Sequence, residues 1–126
     1  MDIGKLNITT DFYSGYEGEN EIILTVTTEN KITIHIWDGY FENIFGSPII
    51  TNTDWKGFTK DYQERVRTFS CTDIPIIVEP TEYLLDMKQY INNYFSYDES
   101  NACLNAMINL FEYALLNSST VTVIVQ

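Results

Sequence analysis

Apolar residues fall on alternate positions through most of the first forty residues, and this period of two limits what the chain can become. In Lys5–Tyr13, Leu6, Ile8 and Phe12 alternate with Asn7, Thr9 and Asp11. Glu21–Thr28 puts Ile22, Leu24 and Val26 on one parity, and Lys31–Asp38 does the same with Ile32, Ile34 and Ile36. Successive side chains on a strand point to opposite faces, so alternation rich in β-branched residues reads as three half-buried strands.

The link between the second and third strands follows from parity. Residues directly opposite in an antiparallel pair share a face. A two-residue turn at Glu29-Asn30 would set Val26 against Thr33 and split the two apolar sets. A three-residue loop, Thr28-Glu29-Asn30, sets Val26 against Ile32 and Leu24 against Ile34. The three-residue loop is therefore predicted, with Asn30 in the left-handed conformation that its last position favours. Thr33, His35 and Trp37 then share the face opposite the isoleucines, a surface open to water or to a partner unless the segment 39–52 folds over it.

Beyond the strands the period changes. Gly39–Asn52 carries Gly39, Gly46 and Pro48 and reads as an irregular crossover. Trp55, Phe58, Tyr62, Val66 and Phe69 recur at helical steps, with Thr53 or Asp54 as candidate cap. Ile74–Val78 is a short strand or an extended link. Glu79-Pro80 suits a helix start, with Pro at the first helical position, and Tyr83, Leu84, Met87, Ile91 and Tyr94 form the stripe that follows. Asp98 or Ser100 opens a last helix facing inward through Cys103, Leu104, Met107, Ile108, Phe111 and Leu115. Thr120–Val125 alternates again. The order βββα(β)ααβ segregates strands from helices, which indicates an α+β fold. The expectation is one α+β domain over residues 1–126: an antiparallel sheet of four or five strands, with about three helices largely on one face.

Charge narrows the function classes. Eighteen acidic residues stand against seven Lys and Arg, a formal net charge of −11 in 126 residues. Such a field disfavours nucleic acid and anionic membranes and favours a basic protein partner. The plain alternative is that acidity serves solubility. The two cysteines, Cys71 and Cys103, have neither C-x-x-C nor metal-ligand spacing and are expected to be reduced. The N-terminal segment has no basic stretch leading into an apolar one, and no apolar run reaches the roughly 18–20 residues of a membrane span. A cytoplasmic protein is the expectation.

Signatures of catalysis are missing. His35 is the one histidine and sits mid-strand, where a packed or surface role outweighs that of a general base. No G-x-S-x-G, P-loop or G-x-G-x-x-G is present. Glu17, Glu19 and Glu21 alternate in a glycine-containing loop but lack EF-hand spacing. No enzyme activity, metal or cofactor is expected.

What remains is an acidic segment interleaved with aromatics. From Asp11 to Glu42 there are seven carboxylates and one cation, Lys31, among Tyr13, Tyr16, Trp37, Tyr40 and Phe41. Aromatic anchors ringed by charge resemble interface hot spots. The candidate partner-binding residues are Glu17, Glu19, Glu21, Asp38 and Glu42 as charge partners, with Trp37 or Tyr40 as apolar anchor. With segments such as Asp38-Gly39-Tyr40-Phe41-Glu42 and Glu82-Tyr83-Leu84-Leu85-Asp86, the whole chain loosely resembles small bacterial immunity proteins of contact-dependent growth inhibition systems. The resemblance implies a cytoplasmic toxin inhibitor that binds one cognate toxin domain, often a basic nuclease. A non-catalytic acidic adaptor or structural domain of an intracellular assembly is the alternative.

Overall fold

The computed structural model describes residues 7–46, 55–64 and 75–126. The protein is α+β. Among the described residues five strands, β1 (Asn7–Phe12), β2 (Glu21–Thr27), β3 (Lys31–Trp37), β4 (Ile76–Val78) and β5 (Val121–Val125), form one sheet in the order β1-β3-β2-β5-β4. The helices among these residues are α1 (Asp38–Phe45), α2 (Gly57–Glu64), α3 (Pro80–Lys88) and α4 (Asp98–Leu116).

The β2–β3 hairpin has the three-residue loop and the register that parity demands, Val26 opposite Ile32 and Leu24 opposite Ile34. Asn30 is not left-handed, however; Ser118 is the one non-glycine with positive φ among the described residues. Thr28 closes the loop instead. Its N–H donates to the Asn30 carbonyl at 2.9 Å, and its hydroxyl accepts the Asn30 N–H at 3.2 Å. A hydroxyl that mimics a backbone acceptor removes the need for the unusual conformation.

The sheet is mixed rather than wholly antiparallel, because β1 runs parallel to β3 in the register Ile8–Ile32, Phe12–Ile36. The loop 13–20 joins β1 to β2, and β3 lies between them. Consecutive strands that reverse direction, with a third inserted, leave the outer one parallel to the inserted one. The loop must therefore cross the end of β3, which brings Tyr16 over Trp37.

Ile22, Leu24, Val26, Ile34 and Ile36 are essentially sealed on one face of the sheet, beside Val121, Val123 and Val125 of β5. Phe41, Phe45, Phe58, Met107 and Phe111 cover them from the helices. On the opposite face Ile23, Thr25, Thr33, His35, Thr122 and Ile124 remain half-exposed. The helices thus lie on one side.

Several helical expectations change. Residues 39–45, read as irregular, belong with Asp38, read as the end of the third strand, to helix α1. Gly39 argued against a helix, yet it is needed for packing, since a Cβ there would stand 2.3 Å from Cη2 of Trp37. Thr53, Asp54, Val66 and Phe69 lie outside the described residues, while Phe58 and Tyr62 are buried as predicted. α3 starts at Pro80, and the Glu79 carboxylate accepts the Thr81 N–H. The helix ends at Lys88, so Ile91 and Tyr94 turn outward and Tyr90 and Phe95 enter the core. On α4, Leu115 is exposed, and Leu110 and Ala114 pack inward. Cys103 is buried and free, with its thiol pushed up to about 12 by burial. Cys71 is outside the described residues.

Candidate acidic-aromatic binding corner

Trp37 ends β3 and precedes α1, so its indole sits where sheet, helix and crossing loop meet. Tyr16 stacks on it with centroids 3.8 Å apart and planes 4° off parallel. The Gly39 backbone presses on the six-membered ring from the other side. Tyr40 meets it edge-on at 5.0 Å, and Tyr97, at the mouth of α4, is tilted against it at 5.5 Å. The indole N–H donates to Glu19 at 3.1 Å. With both faces and the N–H engaged, Trp37 is a structural pin rather than a free anchor.

The loop that carries the acidic residues is internally stitched. Asp11 accepts the N–H groups of Tyr13 and Ser14, and these bonds hold its carboxyl below the usual range. Glu17 accepts the Gly15 N–H, which likewise lowers its carboxyl. The Tyr13 hydroxyl donates to the Glu19 carbonyl at 2.6 Å. Asp38 N–H donates to the Asn20 carbonyl, tying the loop to the start of α1.

The seven sequence-predicted residues separate into groups. Glu19, Trp37, Asp38 and Glu42 meet at one corner. Asp38 is half-buried, and its carboxyl is pushed up by burial and then by the negative charges of Glu42 and Glu19. Tyr40 belongs to the corner but is only 7% exposed, with its hydroxyl 3.2 Å from that of Tyr16, so it cannot serve as a surface anchor. Glu17 is spent on its own turn. Glu21 lies on the open sheet face, paired with Nδ1 of His35 at 2.7 Å. Asp11 and Ile23 flank His35 across the sheet.

Tyr97 was missed by sequence reasoning. It is 45% exposed and precedes Asp98 and Glu99, both also exposed. Its signal was the Tyr-Asp-Glu run, read only as a helix start. Asn43 fixes it in place: its side-chain carbonyl accepts the Tyr97 N–H at 3.3 Å and the Ser100 hydroxyl at 2.7 Å, and its amide donates to the Ser96 hydroxyl at 2.9 Å. Between α1 and this turn lies a cleft of about 520 Å³, lined by Trp37, Glu42, Asn43, Tyr62 and Tyr97 among others.

Among the described residues, the ion pairs are Lys56–Glu82 and Lys88–Glu112, and Glu21 also meets Nδ1 of His35. None reaches Glu19, Asp38 or Glu42. No three His, Cys, Asp or Glu side chains among the described residues converge as metal ligands. No helix there is long and apolar enough to cross a membrane. The corner therefore offers carboxylates without an ion partner among the described residues, beside an exposed aromatic ring and on a framework fixed by hydrogen bonds. No family model, no curated protein and no solved structure matches this chain.

Proposed function

We propose that this protein is a non-catalytic binding protein whose acidic-aromatic corner docks on a basic protein, and that it acts as an immunity protein neutralising a cognate toxin domain of the basic nuclease kind in the cytoplasm. The observation that carries the reading is the convergence of Glu19, Asp38 and Glu42 with no described cation among them, next to exposed Tyr97. Carboxylates that repel one another and are partly desolvated gain from an incoming Lys or Arg, and complementary potentials speed the encounter. A nuclease surface that attracts phosphate carries such cations, so an acidic protein competes for it. The net charge of −11 adds long-range attraction.

The test is site-specific photo-crosslinking in the native host. A benzophenone amino acid at Tyr97 is compared with the same probe at Tyr94, which is 91% exposed and outside the corner. The Tyr97 probe should capture a basic protein whose expression alone arrests growth and whose toxicity is relieved by co-expressing this chain. Capture of a basic but harmless protein would exclude the immunity function and leave an adaptor. Capture only from Tyr94 would move the interface away from the corner.

A further inference from the structure

We propose that the cleft between α1 and the Ser96–Tyr97 turn receives an arginine side chain of the basic partner, its guanidinium lying against Tyr97 and paired with Glu42 at the rim. This rests on the binding function proposed above and specifies its chemistry. An open cleft of about 520 Å³ has room for one long side chain and accompanying water. Its walls are set before any partner arrives. The three Asn43 hydrogen bonds hold the 96–97 turn and Ser100 of α4 to α1, and Trp37 is clamped between Tyr16 and Gly39. A preorganised recess avoids the ordering cost that weakens loop-built sites.

The occupant follows from the lining. Glu42, which lines the cleft, is exposed with no ion partner among the described residues, and it is near enough to half-buried Asp38, outside the lining, for the two charges to repel. Both call for a cation. The most exposed aromatic ring in the lining is that of Tyr97, and such a ring attracts a cation to its face. A guanidinium is planar, weakly hydrated and able to stack on a ring while bonding a carboxylate with two N–H groups. A lysine ammonium is a compact, strongly hydrated point charge that cannot stack flat on a ring or bond a carboxylate in the same bidentate fork.

Titration of the unmodified chain with capped Gly-Arg-Gly, followed by ¹H–¹⁵N NMR, tests this directly. Saturable shifts are expected at Tyr97 and at the Asn43 side-chain amide, with affinity in the millimolar range. Capped Gly-Lys-Gly should bind several-fold more weakly, and the uncharged citrulline peptide should leave the cleft unmoved. Tyr97→Ala should weaken the arginine peptide about tenfold; Glu42→Gln should weaken it too. Equal responses to arginine and citrulline, shifts confined to surfaces outside the cleft, or no shift would overturn the assignment. If the arginine peptide fails while Tyr97 crosslinks a basic partner, the corner remains an interface and only the arginine assignment falls. If the peptide binds but no basic partner is captured, the cleft chemistry stands and the proposed function falls.

Discussion

Gly39 and Trp37 show how single residues decide this corner. A methyl group at position 39 would sit 2.3 Å from Cη2 of Trp37, closer than any van der Waals contact allows. Gly39→Ala should therefore destabilise the protein by roughly 1–3 kcal/mol, the usual range for overpacking, as read from chemical denaturation. The same substitution made together with Trp37→Ala should cost little beyond Trp37→Ala alone, because the clash has gone; additive costs would disprove the contact. Trp37→Ala itself is expected to lower stability as well as any affinity, since the ring is a pin. On the sheet, Ile34 is 2% exposed, and Ile34→Ala should cost about 2–5 kcal/mol. A cost near that of a surface change would contradict the hairpin register.

At the scale of elements, α2 is latched to α3 through a buried carboxylate. Asp86 accepts the Thr59 N–H at 3.0 Å and its hydroxyl at 2.7 Å, and that hydroxyl also meets the Tyr90 hydroxyl at 2.7 Å. Asp86 thus caps the first turn of α2 from a neighbouring helix. Burial outweighs these bonds and raises its carboxyl to about 6 from 3.8. The native state then holds this proton more tightly than the unfolded chain does. Between pH 3.8 and about 6 the group's contribution makes stability fall as pH rises. The change is on the order of 3 kcal/mol across the window. Asp86→Asn keeps an acceptor for the Thr59 N–H and should flatten the difference in denaturation midpoint between pH 4 and pH 7. An unchanged pH profile would refute the buried-acid account.

The elements also show what the sequence could reveal. The β2–β3 register was readable because a slip of one residue exposes a whole apolar set. The caps and ends were harder. Helix α1 was hidden by Gly39, whose reason is a tertiary contact with Trp37, although Tyr40, Phe41, Ile44 and Phe45 carry helical spacing. The direction of β1 depended on which strand the 13–20 loop crosses, and local periodicity carries no record of that. At the site, charge and aromatic content singled out Glu19, Asp38 and Glu42, which the fold brings near one another. Composition could not show that Glu17 and Glu21 already have partners, that Tyr40 faces inward, or that Tyr97 arrives from sixty residues further along the chain.

For the whole molecule, the central claim is that acidity is focused at one corner and used there. If so, the effect of a charge change depends on where it is made and not on net charge alone. Replacing Glu19, Asp38 and Glu42 by Lys, and separately the distant acids Glu29, Glu82 and Glu112, alters the formal charge equally. Rim charges act chiefly on association rate and its salt dependence, whereas contacts desolvated in the complex act on dissociation. The most direct measurement is the association rate of the partner captured through Tyr97 with each variant, across a range of ionic strength. The corner set should slow association strongly and flatten its dependence on salt, and the distant set, acting only through net charge, should do both to a much smaller degree. Equal slowing by the two sets, or slowing by the distant set alone, would contradict the account.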